Sequence, residues 1–197
     1  MKKSYWHLWK KYLAHKYGLE LSDEILFETE NTYLLLIKND TWKDNPNKNR
    51  LINMIFPILA VYLVMINNHL TQENALADVE VLMRETFFST QLSGIRFLNR
   101  ILANPFPMIK PALRLMMRFS DSPTGQEIMQ DDKNCFAIHV YQCFIHDTLK
   151  KLNAPELTPV FCATDDWLSE AMPKIQWQRS QTLGRGGEMC DFCWCRK

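Results

Sequence analysis

Apolar side chains recur at helical spacing from the start of this chain to about residue 118, and after Asn134 that period gives way to alternation. A chain that changes period once is expected to build helices first and a sheet second. The expectation is therefore an α+β fold, with an N-terminal helical bundle-like layer followed by a small antiparallel sheet with inserted helices. Hydrophobic residues make up 47% of the 197 positions, enough for one core and short of two. The whole of 1–197 is thus expected as a single domain, mainly helical over 1–120 and sheet-containing over 134–197.

Over 4–17 the large residues Tyr5, Trp6, Trp9, Tyr12 and Leu13 share helical spacing, and Gly18 supplies a stop. Ser22 is expected to cap a second helix carrying Ile25, Leu26, Thr29, Tyr33, Leu36 and Ile37, before a polar loop over 39–49. A third helix over about 50–69 is apolar nearly all round, as a helix surrounded by others is. Its longest apolar run, 51–66, contains Asn53 and Pro57 and falls short of the roughly 20 residues that cross a bilayer. No membrane partner is expected. A fourth helix starts near Thr71 and can continue to 102, a fifth covers 111–118, and a turn follows over 121–125. Thereafter the reading is a strand over 135–141, helices over 142–152 and 165–172, a strand over 174–183, a glycine-rich hairpin turn over 184–187 and a partner strand over 189–195.

Lys plus Arg total 23 and Asp plus Glu 22, so a net charge of +1 gives no field for a nucleic-acid partner. The opening stretch carries charges where a secretory signal needs an apolar run, so a cytoplasmic location is expected. Six cysteines, at 135, 143, 162, 190, 193 and 195, then read as reduced thiols serving as core residues, nucleophiles or metal ligands rather than as disulfides.

Candidate chemistry concentrates between 156 and 195. Cys190 could act as a thiolate nucleophile, or be a structural thiol buried in a strand. Asp191 falls on the opposite strand face, where a turn-stabilising role is expected if Cys190 faces inward. Asp165 and Glu156 could activate water or hold a protonated amidine, against the plainer roles of helix cap and first-turn acid. Arg179 could bind a carboxylate with both arms of its guanidinium, or lie on an exposed strand face. Cys162 and Cys143 could converge on Cys190, and His139 and His146 could move protons.

The run Arg179-x-x-Thr182-Leu183-x-x-Gly186-Gly187-x-x-Cys190-Asp191-Phe192 resembles the closing signature of the L-2-amino-thiazoline-4-carboxylic acid hydrolase family. Cys143, Pro155-Glu156-Leu157, Phe161-Cys162 and Asp165 add to the resemblance. It implies hydrolytic opening of a small anionic cyclic isothiourea to N-carbamoyl-cysteine. On that reading Cys190, Asp165, Glu156 and Cys162 are catalytic, and Arg179, Thr182, Cys143 and Asp191 bind substrate. No cofactor is expected.

This sequence departs from the pattern in its tail, Cys193-Trp194-Cys195, which leaves a metal ion open as an alternative. A second alternative is a non-catalytic small-molecule-binding module similar to vinyl-4-reductase-type domains. Assembly into a homo-oligomer stays open as well.

Overall fold

The computed structural model describes residues 3–118 and 125–197, so the turn expected over 121–125 lies, but for Gly125, outside the described residues. The chain forms two compact units, Met1–Ser89 and Thr90–Lys197.

The first unit is helical. α1 (Lys3–Tyr17) buries Tyr5, Trp9 and Leu13 on one face. α2 (Leu19–Lys38) starts one turn earlier than its expected cap, and Ser22 is fully buried inside it. Gly18 makes this abrupt entry possible, because its φ of 88° lies where a side chain would clash. α3 (Lys48–Asn67) contains a π-helical turn at Leu51–Ile55. Its length and mean hydropathy of 1.8 would suffice for a membrane span, yet 61% of its apolar window is buried within the protein, between α2 and α4 (Gln72–Met83). It behaves as the core helix its all-round apolarity predicts.

A buried acid ties α1 to α4. Asp78 is fully buried and accepts hydrogen bonds from Tyr12 Oη at 2.7 Å, from Tyr17 Oη and from Lys16 Nζ. Burial, followed by the hydrogen bond to Asp78, pushes the Tyr12 phenol up to about 12 from its usual 10. A raised phenol pKa means that folding favours the protonated form. Its stabilising contribution is therefore complete below pH 10 and disappears as pH climbs through about 12. Alkaline unfolding followed by circular dichroism should show a steep loss of stability in that window, and Tyr12→Phe should flatten it.

The second unit holds α5 (Ser89–Ile101) from its second residue on, α6 (Phe106–Arg118), α7 (Phe144–Lys151), α8 (Thr158–Glu170) and a four-stranded sheet. The strands are β1 (Gln126–Asp131), β2 (Cys135–Val140), β3 (Ile175–Gln178) and β4 (Cys190–Arg196), in the order β1-β2-β4-β3 with antiparallel neighbours. Phe136, Ile138 and Trp194 point from one sheet face into a core with Phe106, Leu113, Met172 and Ile175. This is the expected α+β composition, with four corrections.

β1 was not expected, because Gln126-Glu127-Ile128-Met129-Gln130-Asp131 shows no alternation. It is an exposed edge strand with a bulge between Ile128 and Gln130 and charges near both ends, which blunt an open edge. α6 starts at Phe106 rather than 111, since the Asn104 side chain accepts the Phe106 N–H at 3.1 Å and caps it. α8 starts at Thr158 rather than 165, with Pro159 suited to its first turn. β3 ends at Gln178, and the expected tight hairpin is a long loop over 179–189 containing a 3-10 turn at Leu183–Arg185.

Cys135 and Cys195 form a disulfide, which overturns the expectation of six reduced thiols. They are opposed in the β2–β4 register at a non-hydrogen-bonded pair, where side chains come closest, and their Cα atoms lie 4.1 Å apart. The partnership depends on register, which sequence spacing does not reveal. Cys143, Cys162, Cys190 and Cys193 are free thiols.

Candidate active site

Helix α8 presents Thr158, Cys162 and Asp166 at successive i, i+4 positions, with Asp165 beside them. The loop over 179–189 lies against this stripe. Gly184 allows the approach: a Cβ there would fall 2.7 Å from Thr158 Cγ2 and 2.9 Å from Cys162 Sγ. No side chain fits at that position without moving the helix or the loop.

The loop is held by residues of the closing signature. Asp191, on the outward face of β4, accepts the backbone N–H groups of Ser180 at 2.9 Å and Gln181 at 2.8 Å, and also the Ser180 hydroxyl. Burial alone would raise its carboxyl, but these donors outweigh it and hold the group below the ordinary aspartate range. Asp191 is thus the turn-stabilising acid that its strand position predicts. Within the loop, Thr182 accepts the N–H groups of Arg185 at 3.0 Å and Gly187 at 2.9 Å, while Gly186 takes the left-handed conformation.

The inward face of β4 carries Cys190, which is 5% exposed. Its Sγ receives the Leu183 N–H at 3.4 Å. Cys162, Cys143 and Asp165 stand close enough to act on its charge. Burial pushes the Cys190 thiol up to about 12, and the Leu183 donor offsets only part of this. Burial, then the Asp165 charge, pushes Cys162 up to about 11. Both rest as neutral thiols near pH 7, so neither is the thiolate that the sequence reading assigned to Cys190. The buried Thr182 hydroxyl turns toward Cys162. The Thr158 hydroxyl is also buried and has no hydrogen-bond partner among the described residues.

The Arg179 side chain is buried, 5% exposed, unlike that of a surface arginine. Its guanidinium bonds Asp166 at 2.7 Å and the Cys162 carbonyl at 3.1 Å and lies 3.8 Å from Asp165, with Trp177 at 5.9 Å. With its fork engaged this way, it clamps the loop to α8. Asp165 likewise sits mid-helix, which removes the capping role considered for it. Glu156 is half-buried in the 3-10 turn Pro155–Leu157 that leads into α8.

Beyond Arg179, on the outward face of the sheet, is a cavity of about 650 Å³ whose lining includes His139, Asp166, Trp177, Arg185, Asp191 and Cys193. Arg185 is 57% exposed and 3.6 Å from Asp166, leaving it available to an anion. Three participants escaped the sequence reading: Thr158, Asp166 and Arg185. The first two were readable from the i, i+4 spacing around Cys162 once α8 is known to begin at Thr158. Arg185 was hidden inside what looked like a tight turn.

Cys195 is bonded to Cys135, so the tail does not offer three thiolates to one ion. Among the described residues, no group of three His, Cys, Asp or Glu side chains is arranged to hold a metal.

Comparison with known proteins adds one match. The family model described as L-2-amino-thiazoline-4-carboxylic acid hydrolase matches residues 57–194. No curated protein and no solved structure matches the chain.

Proposed function

The chain belongs to the L-2-amino-thiazoline-4-carboxylic acid hydrolase family, and from that premise we propose that it hydrolyses a small anionic cyclic isothiourea of the amino-thiazoline carboxylate type. The observation that carries the reading is the convergence of Cys190, Cys162 and Cys143 with Asp165 beneath a loop built from the family's closing signature. A buried thiol beside a carboxylate is suited to attack on an electrophilic ring carbon.

In the proposed reaction the substrate's ring nitrogen is protonated, which makes carbon 2 electrophilic. The Cys190 thiol gives up its proton to solvent, the thiolate Sγ bonds to carbon 2, and Asp165 holds the protonated ring nitrogen. The bond from carbon 2 to ring sulfur breaks, and the departing sulfur takes up a proton. Water then attacks the same carbon, the Cys190 sulfur leaves, and N-carbamoyl-cysteine is released. The sum is substrate plus water, with no oxidation or reduction. Thr158, whose buried hydroxyl has no hydrogen-bond partner among the described residues, would receive the substrate's amino group. Arg185 supplies the cation for the carboxylate, because Arg179 is engaged with α8.

A second reading rests on the raised thiol pKa of Cys190. In it Asp165 activates water directly, and the thiols form a soft wall around the ring.

Incubation with the amino-thiazoline, monitored for a new small-molecule thiol, tests the activity; no thiol release above the buffer rate overturns it. The pH dependence separates the two routes. Below a pKa of about 12 the thiolate fraction grows tenfold per pH unit, so attack by Cys190 should raise kcat/KM with a log slope near one from pH 7 to 9. A flat profile over that range selects water.

A further inference from the structure

Cys193 belongs to neither route, and its surroundings are unusual for a spare thiol. It sits two residues before Cys195 on the outward face of β4, so both sulfurs emerge on the same side. Opposite it in the register is Ala137, whose methyl leaves the space above Cys193 open. Its Sγ lies 3.6 Å from Cys195 Sγ, which is already bonded to Cys135. The half-buried Cys193 also lines the outward cavity, so water and small reagents reach it.

A thiol in van der Waals contact with one sulfur of a disulfide is arranged for exchange. We propose that Cys193, Cys195 and Cys135 form a thiol–disulfide exchange site, with Cys193 the attacking group and Cys195 the shared central sulfur. The Cys193 thiol gives its proton to solvent, and the thiolate attacks Cys195 Sγ. The Cys193–Cys195 bond forms as the Cys135–Cys195 bond breaks, and Cys135 departs with the electron pair and takes up a proton. No external oxidant or reductant is consumed. The bond changes from one that spans 60 residues to one within a single strand, which unties the start of β2 from the end of β4. Burial raises the Cys193 pKa, so exchange accelerates as pH rises through the alkaline range.

The test is slow alkylation of the native protein with dilute iodoacetamide at pH 8.5, followed by acid unfolding and peptide mapping without reductant. The expected result is carbamidomethyl label accumulating on Cys135 as well as Cys193, with a peptide linked through Cys193 and Cys195. In Cys193→Ser and in Cys193→Ala, Cys135 and Cys195 should stay joined and unlabelled. Two results overturn the proposal: Cys135 remaining unlabelled while Cys193 fills, or Cys135 labelling equally fast in both variants.

Discussion

Cys190→Ser should lower the rate of thiol release from the amino-thiazoline by at least about a thousandfold while the protein stays folded. A serine hydroxyl is far less acidic than the thiol it replaces and is a poorer nucleophile. The substituted group is 5% exposed and receives only the long Leu183 contact, so the cost in stability should be about 1 kcal/mol. Circular dichroism and urea unfolding would confirm an intact fold before the kinetics are interpreted. Cys162→Ala provides the comparison. It removes a half-buried thiol that acts on the charge of Cys190, and a loss below about tenfold would show that the effect belongs to Cys190 and not to repacking. Turnover retained in Cys190→Ser would hand the attack to water, and Asp165→Asn should then carry the loss.

The second large effect belongs to Arg179. Arg179→Met should destabilise the second unit by about 3 kcal/mol, read as a shift in urea midpoint. The guanidinium is 5% exposed and holds Asp166 and the Cys162 carbonyl, so its removal leaves two neighbouring carboxylates without their shared cation. These acids are about one-third exposed and water can solvate them in part, which keeps the figure at the lower end for a broken buried pair. Arg179→Lys should recover little, since an ammonium cannot span Asp166 and a carbonyl as the planar fork does. Arg185→Gln should do the opposite. Its stability should change by less than about 0.5 kcal/mol, whereas KM for the anionic substrate should rise about tenfold. If KM instead follows Arg179, the carboxylate is bound where the sequence first suggested.

The contrast between these two arginines shows what a sequence can convey. Helical and alternating periods identified the layers, because each element hides one face and that face is written in its spacing. That Cys190 and Asp191 lie on opposite faces followed from strand geometry alone, while which of them points inward did not. β1 stayed invisible because an edge strand exposed on both faces has no pattern to write. The disulfide stayed invisible because it depends on which residue of β2 stands across from Cys195. Arg179 could be nominated as a cation but not assigned a partner, since Asp166 reaches it only after α8 gains its first two turns from Thr158. Thr158 itself passed as an ordinary polar residue for the same reason.

Gly184 carries a consequence for any redesign of this protein. The clearance between loop and helix is set by one absent methyl group, and Thr158 and Cys162 occupy the space on the far side. Alanine at 184 would act as a shim, lifting the strap by a few tenths of an ångström and loosening everything clamped beneath it. A relative that carries a larger residue there should have a smaller one at 158 or 162.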